Sequence, residues 1–126
     1  MMIEVSNGEI LDKFSILEIK MEKIKDEVKL KNVANEIECL KSAFNSINNR
    51  EDVQAKYQEL KYINLSLWDI EDRIREKENE KDFGDTFVEL ARSVYVINDK
   101  RAKVKYQINE LTGSEVFEEK SYEQYA

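Results

Sequence analysis

Four carboxylates in this chain are spaced for metal chemistry. Glu18 and Glu22 stand four apart and Asp69 and Asp72 three apart, so each pair shares one face if its segment is helical. Brought together across a bundle, the four would form an oxygen-only cluster of the kind that holds Mg²⁺ or Mn²⁺ and orients a phosphate substrate. The segment around the second pair, Leu67-Trp68-Asp69-Ile70-Glu71-Asp72-Arg73-Ile74-Arg75, also has a plainer reading. Asp69 with Arg73 and Glu71 with Arg75 are acid-first pairs four apart, which steady an exposed helix by about 0.2–0.5 kcal/mol each. A salt-bridged helix surface is therefore the preferred reading of these residues, and the metal cluster the alternative.

A second constellation surrounds Arg101, the one charged member of an otherwise apolar helical seam. Folding the last two helices back on each other about Gly84 brings Glu71 level with Arg92, and Asn64 level with Asn98 and Asp99. An unpaired buried charge costs several kcal/mol, so Arg101 must reach the surface or find an acid or carbonyl. We expect Asn98, Asp99 and Arg101 to form a buried polar network that fixes helix register. The rival is a pocket in which Arg92 and Arg101 grip a phosphate or carboxylate by forked hydrogen bonds. Lys100, Arg101, Lys103 and Lys105 form the only basic cluster, but they point around the helix rather than along one stripe. No nucleic-acid partner is expected from them.

Composition narrows the chemistry further. The 126 residues include no His, which removes imidazole catalysis, Ser-His and Cys-His arrangements and His-ligated zinc. A single Cys removes internal disulfides and multi-Cys metal sites. The net charge of −7 works against nucleic-acid phosphates and anionic lipid. The N-terminal residues lack the basic start and apolar run of a signal peptide, and no uncharged stretch approaches a membrane span, so a cytoplasmic location without membrane contact is expected.

The elements that must position these residues are helices. Three Gly and no Pro leave few breaks, and Glu, Lys, Leu and Ile favour helix. Ile10, Phe14, Leu17, Met21, Ile24 and Val28 step by four and three, giving a first helical seam that Ser6 or Asn7 can cap. Ile16 and Ile19 lie off that seam, so this helix is apolar on two sides and belongs between layers. Leu30, Val33, Ile37, Leu40, Phe44 and Ile47 form a second seam, closed by asparagines. A third helix runs from Glu51 to about Lys81 with Val53, Tyr57, Leu60, Ile63, Leu67, Ile70 and Ile74 as its seam. The fourth follows the break around Gly84 and ends at Thr112-Gly113. The expected architecture is an all-α antiparallel bundle of four main helices, two long hairpins, in one domain spanning 1–126. Residues 114–126 form an acidic tail, docked or mobile, with Val116, Phe117, Tyr122 and Tyr125 interspersed. Met2–Val5 and Glu115–Glu119 leave room for a short strand pairing of the termini. Val88, Tyr95 and Ala102 mark a second apolar face on the fourth helix. Such surplus apolar surface points to a homodimer.

The stretches EVSNGEILDKFSILEIKMEKI, SLWDIEDRIREKE and ELARSVYVINDKRAKVKYQINELTGSEVFEEKSY resemble a family of short, uncharacterised conserved proteins of bacteria and marine phages, classed as a domain of unknown function. The resemblance is nearly full length and implies a cytoplasmic helical protein without specifying an activity. Two characterised helical classes fit less well. Helical nucleotide pyrophosphohydrolases need an adjacent Glu pair on a helix, and Glu18 and Glu22 are four apart while Glu118-Glu119 lies in the tail. Helical chorismate mutases need basic residues from several helices, and the first helix here has no Arg. The expected role is a non-catalytic interaction or assembly protein, homo-oligomeric and without cofactor. The alternative is a Mg-dependent phosphohydrolase-like or anion- and phosphometabolite-binding bundle, built on the carboxylate cluster or the Arg92/Arg101 region.

Overall fold

The first helix begins because its opening N–H groups all find acceptors. The Ser6 hydroxyl accepts from the Glu9 amide at 3.1 Å, an N-cap with extended backbone. The Asn7 amide donates to Ser114 Oγ at 3.1 Å and the Gly8 amide to Asn109 Oδ1 at 2.6 Å, so distant residues complete the cap. In the computed structural model, which describes residues 1–121, α1 runs Asn7–Lys23, α2 Glu27–Ile47, α3 Glu51–Glu80 and α4 Asp85–Thr112. α1 packs against all three other helices, α2 principally against α1, and α3 against α4 as a long hairpin. This is the all-α bundle of two hairpins read from the seams. Among the described residues, no helix is long and apolar enough to cross a membrane.

Two expectations need correction. The seam read through Ile24 and Val28 does not continue as one helix: α1 ends at Lys23, Ile24 adopts an extended conformation, and Val28 is 72% exposed. The break is made by Asp26, whose carboxylate accepts from the Lys29 amide at 3.0 Å and caps α2. No glycine or proline marks it, and the apolar spacing runs on by coincidence into the next helix. The second correction concerns the termini. Among the described residues there is no strand, and residues 1–5 and 114–121 are irregular. The termini meet instead through side chains. Asn7 Nδ2 donates to Thr112 Oγ1 at 2.9 Å, and Ser114 Oγ, besides accepting from Asn7, donates to the Val116 carbonyl at 2.8 Å. Tyr122 and Tyr125 lie outside the described residues.

Leu11, Phe14, Val53, Tyr57, Leu60, Ile63, Val104 and Ile108 form the core, closed on the α2 side by Phe44, whose ring stacks on Phe14 at 3.9 Å and meets Tyr57 edge-on at 4.9 Å. The fully buried members of this cluster include none between Ile63 and Val104. Length explains this. The 30 residues of α3 extend about 45 Å and the 17 of α1 only about 25 Å, so the α3–α4 hairpin outruns the helix that packs on it. Its tip is two helices alone, buried around Leu90 and closed by an edge-to-face pair of Phe83 and Phe87 at 5.3 Å. α4 ends on Gly113, whose φ of 61° is the left-handed conformation that Thr112-Gly113 foretells.

Candidate functional site

Gly8, Leu11, Asp12, Ser15 and Ile19 are all buried, and they fall within an arc of about 100° on α1. The small residues let that face come close to its neighbours. A Cβ on Gly8 would lie 2.5 Å from the Lys105 carbonyl oxygen. This approach places a carboxylate in the interior, for Asp12 retains 1% of its exposure.

Every edge of that carboxylate is engaged. Oδ1 accepts from Asn64 Nδ2 at 2.8 Å and from Arg101 Nε at 2.9 Å, while Oδ2 accepts from Arg101 Nη2, giving a two-pronged pair between α1 and α4. Asn64 Nδ2 also donates to Ser15 Oγ at 2.8 Å, and that hydroxyl donates to the Asp12 carbonyl at 2.7 Å. Three helices thus share one polar knot. The ammonium of Lys105 stands 3.8 Å from Asp12 Oδ2, 2.6 Å from Glu9 Oε2 and 3.2 Å from Glu118 Oε2 of the tail.

The titration of these groups follows from their partners. The Asp12 hydrogen bond raises the Arg101 guanidinium against the opposing effect of burial. For Lys105 burial is the largest influence and acts downward, but the hydrogen bond to Glu9 and the charges of Asp12 and Glu9 outweigh it, leaving the ammonium raised. Nearby, burial lifts the Tyr57 phenol well above its ordinary range, reinforced by the Glu18 carboxylate to which it donates. Both cations stay charged at neutral pH. The arrangement is suited to holding helices and to electrostatic recognition, and poorly suited to proton transfer.

The four carboxylates of the alternative metal reading are not brought together among the described residues. Glu18 accepts from the Tyr57 hydroxyl, and Lys61 lies 3.9 Å from Glu18 and 3.5 Å from Glu22, so an ammonium stands where the cation would be. Asp69 and Asp72 are exposed on α3, and among the described residues no group of three or more His, Cys, Asp or Glu could hold an ion. Of the acid-first pairs, Glu71 with Arg75 forms at 3.8 Å.

Arg92 and Arg101 do not share a pocket either. Nine residues make two and a half turns, which puts them on opposite faces of α4. Arg92 is exposed and donates to the Tyr95 hydroxyl at 3.4 Å, while Asp99 is exposed on the same outer face. Glu71 therefore meets Arg75 rather than Arg92. The polar network exists, but of the expected members it takes only Arg101. Asn98 lines a cleft of about 290 Å³ beside it, with Arg101, Lys105, Asn109 and Glu118. On the other side of Arg101 lies a groove of about 450 Å³ walled by Ile16, Ile19, Leu67 and Trp68.

Asp12, Ser15 and Glu9 escaped the sequence reading, Lys105 entered it only as part of the basic cluster, and Asn64 bonds to Asp12 and Ser15 rather than to Asn98 or Asp99. The signal was present on α1. Gly8, Leu11, Ser15 and Ile19 enclose Asp12 on one face, so an acid stands in the middle of a packing stripe, 89 positions before the arginine it answers.

The fold and site together define an all-α protein of two helical hairpins, joined through a buried ion pair at the face where α1 meets α3 and α4. It belongs to the Family of unknown function (DUF6165), whose model matches residues 1–125, as the three resembling stretches imply. No curated protein and no solved structure matches the chain.

Proposed function

We propose that the protein is a non-catalytic helical assembly module of the cytoplasm that acts as a homodimer, pairing through the outer face of α4. The observation that carries this reading is the charge order on that face. Val88, Tyr95 and Tyr106 are exposed apolar or aromatic residues along α4, and Arg92 and Asp99 flank Tyr95 with opposite signs. Glu89 and Lys103 extend the pattern outward, so the face reads acid, base, tyrosine, acid, base. Two such helices laid antiparallel about a two-fold axis near Tyr95 would set Arg92 against the second copy's Asp99, twice over, with the two Tyr95 rings adjacent. A surface that is complementary to itself in this way is what a two-fold interface requires. The overhanging tip of the α3–α4 hairpin would gain a further layer by the same contact. Against the alternative of a metal-dependent hydrolase stands the pairing of Glu18 and Glu22 with Lys61.

Light scattering on the purified protein tests the reading. The expected mass is twice the 14.9 kDa of the chain. Arg92→Asp should yield the monomer mass with unchanged helical circular dichroism, and Arg92→Asp combined with Asp99→Arg should restore the dimer by reversing both charges. A monomer mass for the unaltered protein at about 100 μM, or a dimer indifferent to Arg92→Asp, would rule it out.

A further inference from the structure

Asn64 carries one polar atom that the buried knot leaves unused. Its Nδ2 spends both hydrogens, one on Asp12 Oδ1 at 2.8 Å and one on Ser15 Oγ at 2.8 Å. An amide oxygen could serve neither partner, because the ionised carboxylate only accepts and the Ser15 hydroxyl already gives its proton to the Asp12 carbonyl at 2.7 Å. The amide is therefore fixed with its nitrogen in the knot and its oxygen outside. That oxygen has no hydrogen-bond partner among the described residues, although Asn64 is only 5% exposed. It is open to solvent nonetheless, since the one sealed side-chain polar atom without a partner among the described residues is Asn48 Oδ1.

The groove of about 450 Å³ between α1 and α3 counts Asn64 in its wall. Ile16, Ile19, Leu67 and Trp68 make that wall mostly apolar, and Arg101 borders it from α4. Arg101 and Asn64 bond the same oxygen of Asp12, so the two side chains stand side by side. Of the five guanidinium N–H groups, two are spent on Asp12 and the others have no partner among the described residues. An apolar wall interrupted by one unpaired acceptor, next to a donor with N–H groups to spare, is the make-up of a small-molecule site. Charge narrows the class of ligand. Arg101 is answered by Asp12 and Arg75 faces Glu71 at 3.8 Å, which leaves the exposed carboxylate of Asp72 as the remaining charge along the groove. An anion would meet that carboxylate and bring no proton for Asn64, and a cation would stand against the guanidinium.

We infer that this groove binds a small uncharged molecule with an apolar, ring-sized body and a single O–H or N–H donor, which it gives to Asn64 Oδ1. A phenol is the simplest member of the class. Its hydroxyl donates to Asn64 and accepts from an Arg101 N–H, while its ring covers the side chains of Ile16, Ile19, Leu67 and Trp68. Water at that oxygen is bordered by apolar carbon, so a ligand that keeps the hydrogen bond and covers the carbon is favoured over it. The site lies on the α1–α3 side of the molecule and holds whether or not two copies pair through α4.

Trp68 is the single tryptophan of the chain, so its fluorescence reports the groove directly. Titration of phenol into the unaltered protein should give a saturable change. Anisole has the same ring and oxygen but no donor, and although it is the more apolar molecule it should bind about two- to tenfold more weakly, the worth of one hydrogen bond. Benzoate and benzylammonium should also bind more weakly than phenol. Ile16→Lys places a charged chain in the apolar wall at a half-buried position and should abolish the phenol response with helical circular dichroism unchanged. Asn64→Leu should erase the preference for phenol over anisole; should that variant fail to fold, the ligand comparison on the unaltered chain decides. The proposal is overturned by the absence of a saturable change with phenol, or by anisole, benzoate or benzylammonium binding as tightly as phenol. A phenol response that survives Ile16→Lys would overturn it as well.

Discussion

Asp12 decides more of this structure than any other single side chain. An ionised carboxylate removed from water is tolerated only where its partners replace the lost hydration, and here Arg101, Asn64 and Lys105 do so from two other helices. Removing one member leaves the others to bear the desolvation. Asp12→Ala should therefore lower stability by about 3 kcal/mol or more, read from urea unfolding by circular dichroism. Arg101→Met should cost at least as much, because it leaves the Asp12 carboxylate buried with only Asn64 and Lys105 to replace its hydration. Replacing both, with Asp12→Leu and Arg101→Met, should recover most of the loss, since an apolar pair of similar volume needs no compensation. Strict additivity of the two single losses would show that the pair is not the coupled unit its geometry indicates. At this scale the sequence was half legible. Arg101 announces itself by standing in an apolar seam and demanding an acid, but the demand does not say from where. The answer comes from a helix 89 positions earlier, and local spacing carries no information about which helix faces are brought together.

Helix boundaries on α3 and α4 were readable because their chemistry is local. Acids open α3, Gly84 precedes α4, and Gly113 accepts the left-handed turn that ends it. The break between α1 and α2 was not, since only Asp26 signals it and an aspartate followed by a charged turn is common on any helix surface. Packing between elements was harder still to foresee, and Gly8 is the case in point. In the first turn of a helix a glycine looks like a weakness that alanine would repair by about 1 kcal/mol. The structure reverses that expectation, because the added methyl would meet the Lys105 backbone at 2.5 Å and Asn109 Oδ1 at 3.0 Å. Backbone cannot yield as a side chain end would. Gly8→Ala should thus destabilise by about 1–3 kcal/mol through overpacking, lifting α1 from α4 and loosening the Asp12 pair with it. Gly84→Ala is the control. Its nearest obstacle is the exposed Asp82 carboxylate at 3.3 Å and its φ is −78°, so the change should cost less than about 1 kcal/mol. Comparable losses at the two positions, measured by thermal melting, would mean that the close approach of α1 and α4 is not what holds the hairpins together.

Across the whole molecule stability should be unequal, because the core is gathered at one end. Around Leu60, Val104 and Ile108 four helices meet and the buried polar knot lies alongside. Toward Phe83 only α3 and α4 remain, with Leu90 as the one buried apolar residue of the tip among those described. A pair of helices without a third layer opens by local fraying at a free energy below that of global unfolding. Amide hydrogen exchange should show this as a gradient along a single continuous helix. Protection should be highest near residues 57–63 and 104–109 and at least tenfold lower, about 1.4 kcal/mol, near 74–92. The gradient also bears on assembly. If the outer face of α4 pairs two copies about Tyr95, dilution from dimer to monomer should speed exchange in the tip while leaving the core amides unchanged. Uniform protection along α3 and α4 at every concentration would mean that the hairpin is one cooperative unit throughout. The overhang would then create no need for a second copy, and the case for a dimer would rest on the charge order of α4 alone.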